Sequence, residues 1–181
     1  MARYIALLRA INVGGHTVKM EVLRELFSSL RFSNVETFIA SGNVIFEAKA
    51  AADRVLEMRI EKLLESSFGY AVSTFIRTED EIRTISVYKP FSDEILSTAQ
   101  ALNIGFLHDH LSPAATEAAM RFRTELDDFH VHGREIYWLC RARQSDSKFV
   151  SKPFEKAIKG AVTFRSTKTI ARLAAKYRVE H

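Results

Sequence analysis

The sequence predicts an α+β protein of two small domains, the first with the β-α-β-β-α-β order of ferredoxin-like folds. Short apolar runs alternate with two amphipathic stretches in the first ninety residues, and a second set of strand and helix patterns follows. Between them lies Lys89-Pro90-Phe91, where proline interrupts helical structure. We therefore predict a ferredoxin-like domain over residues 1–90 and a second small α+β domain with basic C-terminal helices over residues 91–181.

The first half of the ferredoxin-like domain is predicted as strand, helix, strand and strand. Residues 3–9 are apolar on both faces, which is typical of a central strand. Thr17 is a suitable N-cap for a helix. The apolar stripe of that helix has three- and four-residue spacing and consists of Met20, Leu23, Leu26, Phe27 and Leu30. Two strands, 35–39 and 44–46, then flank the turn Ser41-Gly42-Asn43.

The second half of this domain is predicted as one long helix and one strand. Residues 51–67 have a helical apolar period, and Gly69 supplies the left-handed residue that ends a helix. A fourth strand covers residues 72–76. The capping box Thr78-Glu79-Asp80-Glu81 then starts a short helix that extends to about Val87.

The second domain is predicted to have a similar plan, although its sequence does not repeat that of the first. Ser112 followed by Pro113 is a standard helix start. The predicted helices are 92–102, 112–123, 151–158 and 166–177, and the predicted strands are 104–108, 129–132, 136–141 and a weak one around Val162.

Composition indicates a cytoplasmic protein. No run approaches the roughly 18 apolar residues of a membrane helix, and the single cysteine, Cys140, excludes an intrachain disulfide. Residues 141–181 carry eleven basic and three acidic side chains, a net +8, whereas residues 1–140 carry fifteen and nineteen, a net −4. The basic segment is either a solvated surface or a surface for an anionic partner.

Several motifs resemble a bacterial family catalogued as domain of unknown function 1697. They are Tyr4 to Gly15 (YIALLRAINVGG), Phe38 to Phe46 (FIASGNVIF), Gly133 to Tyr137 (GREIY), Ser147-Lys148 and Thr163 to Thr169 (TFRSTKT). The resemblance implies two small α/β domains, the first ferredoxin-like. It implies no reaction, catalytic residue or cofactor, because none is established for the family.

The strongest candidate site combines the loop after the first strand with the turn before the third. These two strands are antiparallel neighbours in a ferredoxin-like sheet, about 4.8 Å apart, so Asn12 and Asn43 are predicted to lie side by side. Backbone N–H groups near the two glycines and the start of the first helix could bind an anion. The candidate residues are Arg9, Asn12, Gly14, Gly15, Lys19, Ser41 and Asn43. The alternative is that the asparagines and glycines only form turns.

A second candidate anion site precedes the last helix. Arg165 lies between Thr163 and Thr169, and Ser166 is a candidate N-cap. An interdomain salt bridge or a plain helix cap explains these residues equally well.

Two further groups are interpreted as structural. The pairs His108/His110 and His130/His132 could each offer two imidazoles to zinc, but a third strand is predicted to separate them, and no metal is predicted. Cys140 belongs to a buried strand and is interpreted as a core thiol rather than a nucleophile.

The sequence therefore predicts a binding module for a phosphorylated small molecule or another anion, without a cofactor. Nucleic acid is the less favoured partner, because the aliphatic first strand provides no platform for base stacking. An enzyme acting on a phosphorylated metabolite and a purely structural or protein-interaction role remain open alternatives. Oligomeric state is not indicated.

Overall fold

The computed structural model describes residues 1–12, 15–39 and 42–177. The chain divides into two compact units, Met1–Arg83 and Thr84–His181. Each unit contains one four-stranded antiparallel sheet, so the fold is mixed α+β.

The first unit has its strands in the spatial order β2-β3-β1-β4. Strand β1 pairs antiparallel with β3 on one side and with β4 on the other, which confirms the predicted neighbourhood of the first and third strands. The elements are β1 (Ala2–Leu8), α1 (Met20–Ser29), β2 (Ser33–Thr37), β3 (Asn43–Ala48), α2 (Asp53–Phe68) and β4 (Thr74–Thr78). Helix α3 (Glu79–Val87) begins in this unit and ends in the second.

The core of the first unit lies between α1, α2 and one face of the sheet. Leu23 and Phe27 of α1 and Ile60 of α2 are fully buried in the same hydrophobic cluster as Ala6 and Phe46 of the sheet. Burial of each such side chain stabilises the fold by about 1.5–3 kcal/mol. The apolar residues that recur at helical spacing in α1 and α2 are therefore the residues that pack against the sheet.

The second unit has the same strand order, β6-β7-β5-β8. Its core joins Phe129, Trp138 and Cys140 of the sheet to Phe154 and Ile158 of the sixth helix. The elements are α4 (Asp93–Leu96), β5 (Ala101–Phe106), α5 (Pro113–Met120), β6 (Asp127–His132), β7 (Glu135–Cys140), α6 (Ser151–Ile158), β8 (Thr163–Ser166) and α7 (Thr167–Ala175).

The predicted helix over residues 92–102 is wrong beyond Leu96. Ser92 caps α4 by accepting the Ile95 N–H, but the hydroxyls of Ser97 and Thr98 then donate to backbone carbonyls of the preceding turn. Such bonds compete with helix propagation. The Gln100 N–H donates to the Cys140 carbonyl at 2.8 Å, so the chain enters the sheet where a helix was expected.

Thr17 is also not the N-cap of α1. The Val18 N–H donates to the Asn12 side chain and Val18 is buried, so the backbone stays extended through Lys19. Lys19 is the N-cap instead, and its side chain makes no capping hydrogen bond. The first turn of α1 therefore begins without a side-chain cap.

Candidate functional site

Three connections meet at one end of the first sheet, where β1 ends and β3 and β4 begin. The Leu8 N–H donates to the Gly42 carbonyl at 2.8 Å, and the Arg9 N–H donates to the Ser73 carbonyl at 2.9 Å. The loop between β1 and α1, the turn before β3 and the segment before β4 are thus held together by backbone hydrogen bonds.

Gly42 brings the turn against the first loop. A Cβ atom at this position would lie 3.1 Å from the Ile11 Cβ and 3.2 Å from the Leu8 Cβ, and φ is +76°. A side chain would be strained here by both the conformation and the contact. Glycine at position 42 therefore allows the two loops to approach each other.

The loop after β1 presents Asn12, Gly15 and Lys19 to solvent. The Asn12 Oδ1 accepts the Val18 N–H at 2.7 Å, and Gly15 has a φ of +85°. Lys19 is exposed directly before the uncapped start of α1, and Arg9 is half-buried at the end of β1. The structure thus brings four of the predicted anion-binding residues to one loop and its flanks.

Asn43 has a different environment. It is fully buried, and its Nδ2 donates to the Phe38 carbonyl at 3.0 Å while its own carbonyl accepts the Phe38 N–H at 2.9 Å. Asn43 therefore closes the turn between β2 and β3. The other two predicted residues of this site, Gly14 and Ser41, lie outside the described residues.

Tyr70 lies beside the same loop and was not predicted. Its ring centroid is 4.0 Å from that of His16, and its hydroxyl oxygen is buried without a hydrogen-bond partner among the described residues. A buried hydroxyl without a partner costs about 1–3 kcal/mol. Its position follows from topology, because Tyr70 precedes β4, and the start of β4 pairs beside the end of β1.

The charges at the start of α1 have mixed sign. Lys19 is exposed and Glu21 lies in the first turn, where it accepts a hydrogen bond from Arg24 at 3.1 Å. The Glu21 pKa is lowered, first by its own backbone N–H and then by Arg24. An anion at the start of α1 would therefore be attracted by Lys19 and the helix dipole and repelled by Glu21.

Arg165 belongs to the second unit. It is nine-tenths buried, and its Nη1 donates to the Thr163 hydroxyl and the Phe164 carbonyl, each at 2.9 Å. Burial lowers its pKa to about 10, so the side chain is still charged at neutral pH. The Ser166 hydroxyl caps α7 by accepting the Thr169 N–H at 3.2 Å, as the sequence indicated.

His130 and His132 contact Tyr88. The Tyr88 hydroxyl lies 2.8 Å from the His130 Nε2, and the Tyr88 ring stacks on His132 with centroids 4.1 Å apart. Strand β7 separates β6, which carries His130 and His132, from β5, as predicted, but β5 ends at Phe106, so His108 and His110 both lie beyond it and not on a strand that extends to 108. The described residues contain no group of three or more His, Cys, Asp or Glu side chains arranged to hold a metal ion.

The His130 contact makes the stability of the second unit depend on pH. Burial first, then His132 and Arg123, lowers the His130 pKa below its ordinary 6.5, whereas Asp128 raises it less. The unfolded chain therefore binds the proton more readily, so stability is full above about pH 6.5 and is lost as pH falls through the folded pKa. We expect the urea midpoint, followed by fluorescence, to fall between about pH 7.5 and pH 5.5, and His130→Gln to reduce that fall. An unchanged pH dependence in His130→Gln, with exposed His110→Gln as control, would contradict this assignment.

Cys140 is confirmed as a core thiol. It is fully buried in β7, and burial is the main cause of a raised pKa. A nucleophilic cysteine needs the opposite shift.

The helices among the described residues are too short or too polar to cross a bilayer.

The comparisons with known proteins concern family and fold. The family described as "Protein of unknown function (DUF1697)" matches residues 1–137. The structure of the conserved bacterial protein SP0830 from Streptococcus pneumoniae is similar, with 21% sequence identity and a TM-score of 0.74, over 96% of this chain and 97% of that chain. At this identity the likeness concerns the fold alone. No curated protein matches the chain.

Proposed function

We propose that this chain, which belongs to the DUF1697 family of proteins of unknown function, is a cytoplasmic binding module for a phosphorylated small molecule or another anion. The proposed site, here called the β1–α1 loop site, consists of Arg9, Asn12, Gly15, Lys19 and Tyr70. Gly14 and Ser41, which lie outside the described residues, stay in the proposal as candidate anion-binding residues, Asn43 closes the turn before β3, and Arg165 remains a separate candidate anion contact in the second unit.

The observation that carries this proposal is the start of α1 beside Lys19, where the N-cap side chain makes no hydrogen bond and the Glu21 carboxylate accepts its own N–H. The first N–H groups of a helix have no partner within the helix and are normally satisfied by a side chain, water or a ligand. They also carry the positive end of the helix dipole, which favours an anion. Because Lys19 is exposed at this point, a phosphate group could reach both the backbone N–H groups and the ammonium.

Tyr70 supports the same site independently. A buried phenol hydroxyl without a partner is an available donor next to the loop that carries His16 and Lys19. A hydrogen bond from a hydroxyl to a charged acceptor contributes about 1.5–3 kcal/mol. A bound anion would therefore satisfy a hydroxyl that has no hydrogen-bond partner among the described residues.

The ferredoxin-like classification of the first unit is part of the proposal. Its support is the β-α-β-β-α-β element order with strand order β2-β3-β1-β4. In this arrangement the end of β1 lies between the starts of β3 and β4. The loop after β1 is therefore bordered by the turn before β3 on one side and by the segment before β4 on the other.

The experiment is a thermal-shift screen of the full chain with inorganic phosphate and a panel of phosphorylated metabolites, followed by calorimetric titration of any hit. A ligand at about 100 times its Kd is expected to stabilise the protein by about 2.7 kcal/mol. Lys19→Gln is expected to weaken binding about fivefold, because a partly exposed charge contact contributes about 1 kcal/mol. Lys62→Gln removes an exposed charge from α2 in the same unit and is expected to leave affinity unchanged.

The variant Tyr70→Phe tests whether the Tyr70 hydroxyl binds the anion or whether the ring only packs beside the loop. The variant is expected to raise the stability of the free protein slightly, since the hydroxyl bonds to no other described residue, and to weaken anion binding about tenfold. If a hit binds equally well to Lys19→Gln and Tyr70→Phe, the β1–α1 loop site is wrong. If no anion stabilises the chain, the structural alternative is favoured, and turnover assays on any hit distinguish a binder from an enzyme.

A further inference from the structure

Four lysines without partners follow the course of α6. Lys148, Lys152, Lys156 and Lys159 are all exposed, and none forms an ion pair or hydrogen bond with another described residue. By contrast, two other cations of the same unit are neutralised locally: Arg143 pairs with Asp146 at 3.2 Å, and Lys89 pairs with Asp93 at 3.0 Å.

The acidic residue of α6 does not neutralise this row. The Glu155 carboxylate accepts the Val162 N–H at 2.8 Å and is half-buried against the segment before β8. Lys152 and Lys156 have the i, i+4 spacing that places side chains on one helix face, and Lys159 follows directly as the left-handed C-cap residue of α6. The solvent side of α6 is therefore uniformly positive.

A cleft lies at each end of α6. The cleft at its start has a volume of about 310 Å³ and is lined by Lys148, by Arg121, which pairs with Glu117, by the rings of Phe122 and Phe149, and by Asp127, which accepts the Trp138 Nε1–H. The cleft at its end has a volume of about 280 Å³ and is lined by Lys159, His108 and His110. The lysines on the helix connect the two clefts into one surface, which we call the α6 basic surface.

The first cleft provides aromatic rings held in place by packing. Phe149 lies 4.5 Å from Trp138 and 5.2 Å from Phe154 between ring centroids, and Phe122 lies 5.1 Å from Phe154. Both rings remain half-buried, so part of each is accessible from the cleft. Packed aromatic rings beside cations are the combination that proteins use to bind unpaired bases and their phosphates.

We propose that the α6 basic surface binds single-stranded nucleic acid. Phosphates contact the lysines along the helix, and a base enters the cleft of Phe122 and Phe149. The eight residues of α6 span about 12 Å, a distance that a few linked nucleotides can follow. A duplex would present no free base face to the aromatic rings.

The test is fluorescence anisotropy of a labelled twelve-nucleotide oligo(dT) with the full chain over a range of salt concentrations. The double variant Lys152→Glu/Lys156→Glu is expected to weaken binding at least about tenfold, as two charge contacts are replaced by repulsion. The slope of log K against log salt is expected to decrease in magnitude by about 1.4, because each phosphate contact on a single strand contributes about 0.7. The emission of the single tryptophan, Trp138, should also change, because its ring contacts Phe149.

The matched control is Lys49→Glu/Lys62→Glu, which makes the same charge change at exposed positions of the first unit. It is expected to bind within about twofold of wild type at 0.15 M salt, where more distant charges are screened. Equal weakening in the control would assign binding to net charge and overturn the proposal. Absence of binding at low salt, or equal affinity for a duplex of the same length, would also overturn it. Lys19→Gln should leave oligonucleotide binding unchanged, so this proposal and the β1–α1 loop site can fail separately.

Discussion

Asp127→Ala is expected to lower the free energy of unfolding of the second unit by about 2–4 kcal/mol, because it removes the acceptor for one buried donor and for two partly buried hydroxyls. The Asp127 carboxylate is 3% exposed and accepts the Trp138 Nε1–H at 2.7 Å. It also accepts the Ser147 hydroxyl at 2.9 Å and the Thr124 hydroxyl at 3.1 Å. Alanine would leave the indole N–H buried without a partner.

Urea unfolding followed by Trp138 emission measures this effect in the second unit, since the chain has one tryptophan. Asp127→Asn keeps the size of the side chain and one acceptor oxygen, so we expect a smaller loss. Asp109→Ala removes an exposed carboxylate of the same unit and should have little effect. A midpoint for Asp127→Ala close to that of Asp109→Ala would show that the network contributes little to stability.

The Asp127 network also positions the aromatic cleft of the α6 basic surface. The Ser147 hydroxyl that donates to Asp127 accepts the Phe149 N–H at 3.0 Å. Asp127 thereby holds the segment that carries Lys148 and Phe149 at the start of α6. Loss of this carboxylate should weaken oligonucleotide binding through the position of Phe149, with the four lysines still present.

The course of the first sheet could be predicted because its signals are local and agree with one another. Apolar residues on both faces of residues 3–9 indicate a central strand, and β1 is central between β3 and β4. The left-handed Gly69 ends α2 directly after Phe68. Once the element order is known, the juxtaposition of the loop after β1 with the turn before β3 follows from topology alone.

The direction of individual side chains could not be predicted in the same way. Asn43 has equal reason from sequence to face solvent or to close its turn, and the structure buries it completely. Tyr70 is a single aromatic residue after a helix, and only its neighbours in space show that its hydroxyl lacks a partner. The basic excess of residues 141–181 is visible in the sequence, but its concentration on one face of α6 between two clefts depends on the fold.

Glu57→Ala is expected to destabilise the first unit by about 2–4 kcal/mol, because the buried Glu57 carboxylate accepts a backbone N–H of an edge strand. Strand β4 lies at the edge of its sheet, so alternate N–H groups point away from β1. The Ile76 N–H donates to the Glu57 carboxylate at 3.0 Å, and Glu57 is 1% exposed. Glu61 accepts the Thr74 N–H at 3.0 Å in the same manner.

Thermal unfolding followed by far-ultraviolet circular dichroism measures the loss, and amide hydrogen exchange at Ile76 shows whether it begins at this strand. Glu57→Gln retains a carbonyl acceptor and should lose less, while Glu65→Ala changes an exposed position of α2 and should lose little. Unchanged protection of the Ile76 amide in Glu57→Ala would show that another group satisfies it.

The second unit provides an independent comparison, since Glu155 of α6 accepts the Val162 N–H directly before the edge strand β8. In each unit a helix glutamate, Glu57 of α2 or Glu155 of α6, accepts a backbone N–H at or directly before the last strand of the sheet. These acids are therefore committed to the fold, and the Glu155 carboxylate of α6 is hydrogen-bonded to the Val162 N–H and forms no ion pair with the lysines of that helix.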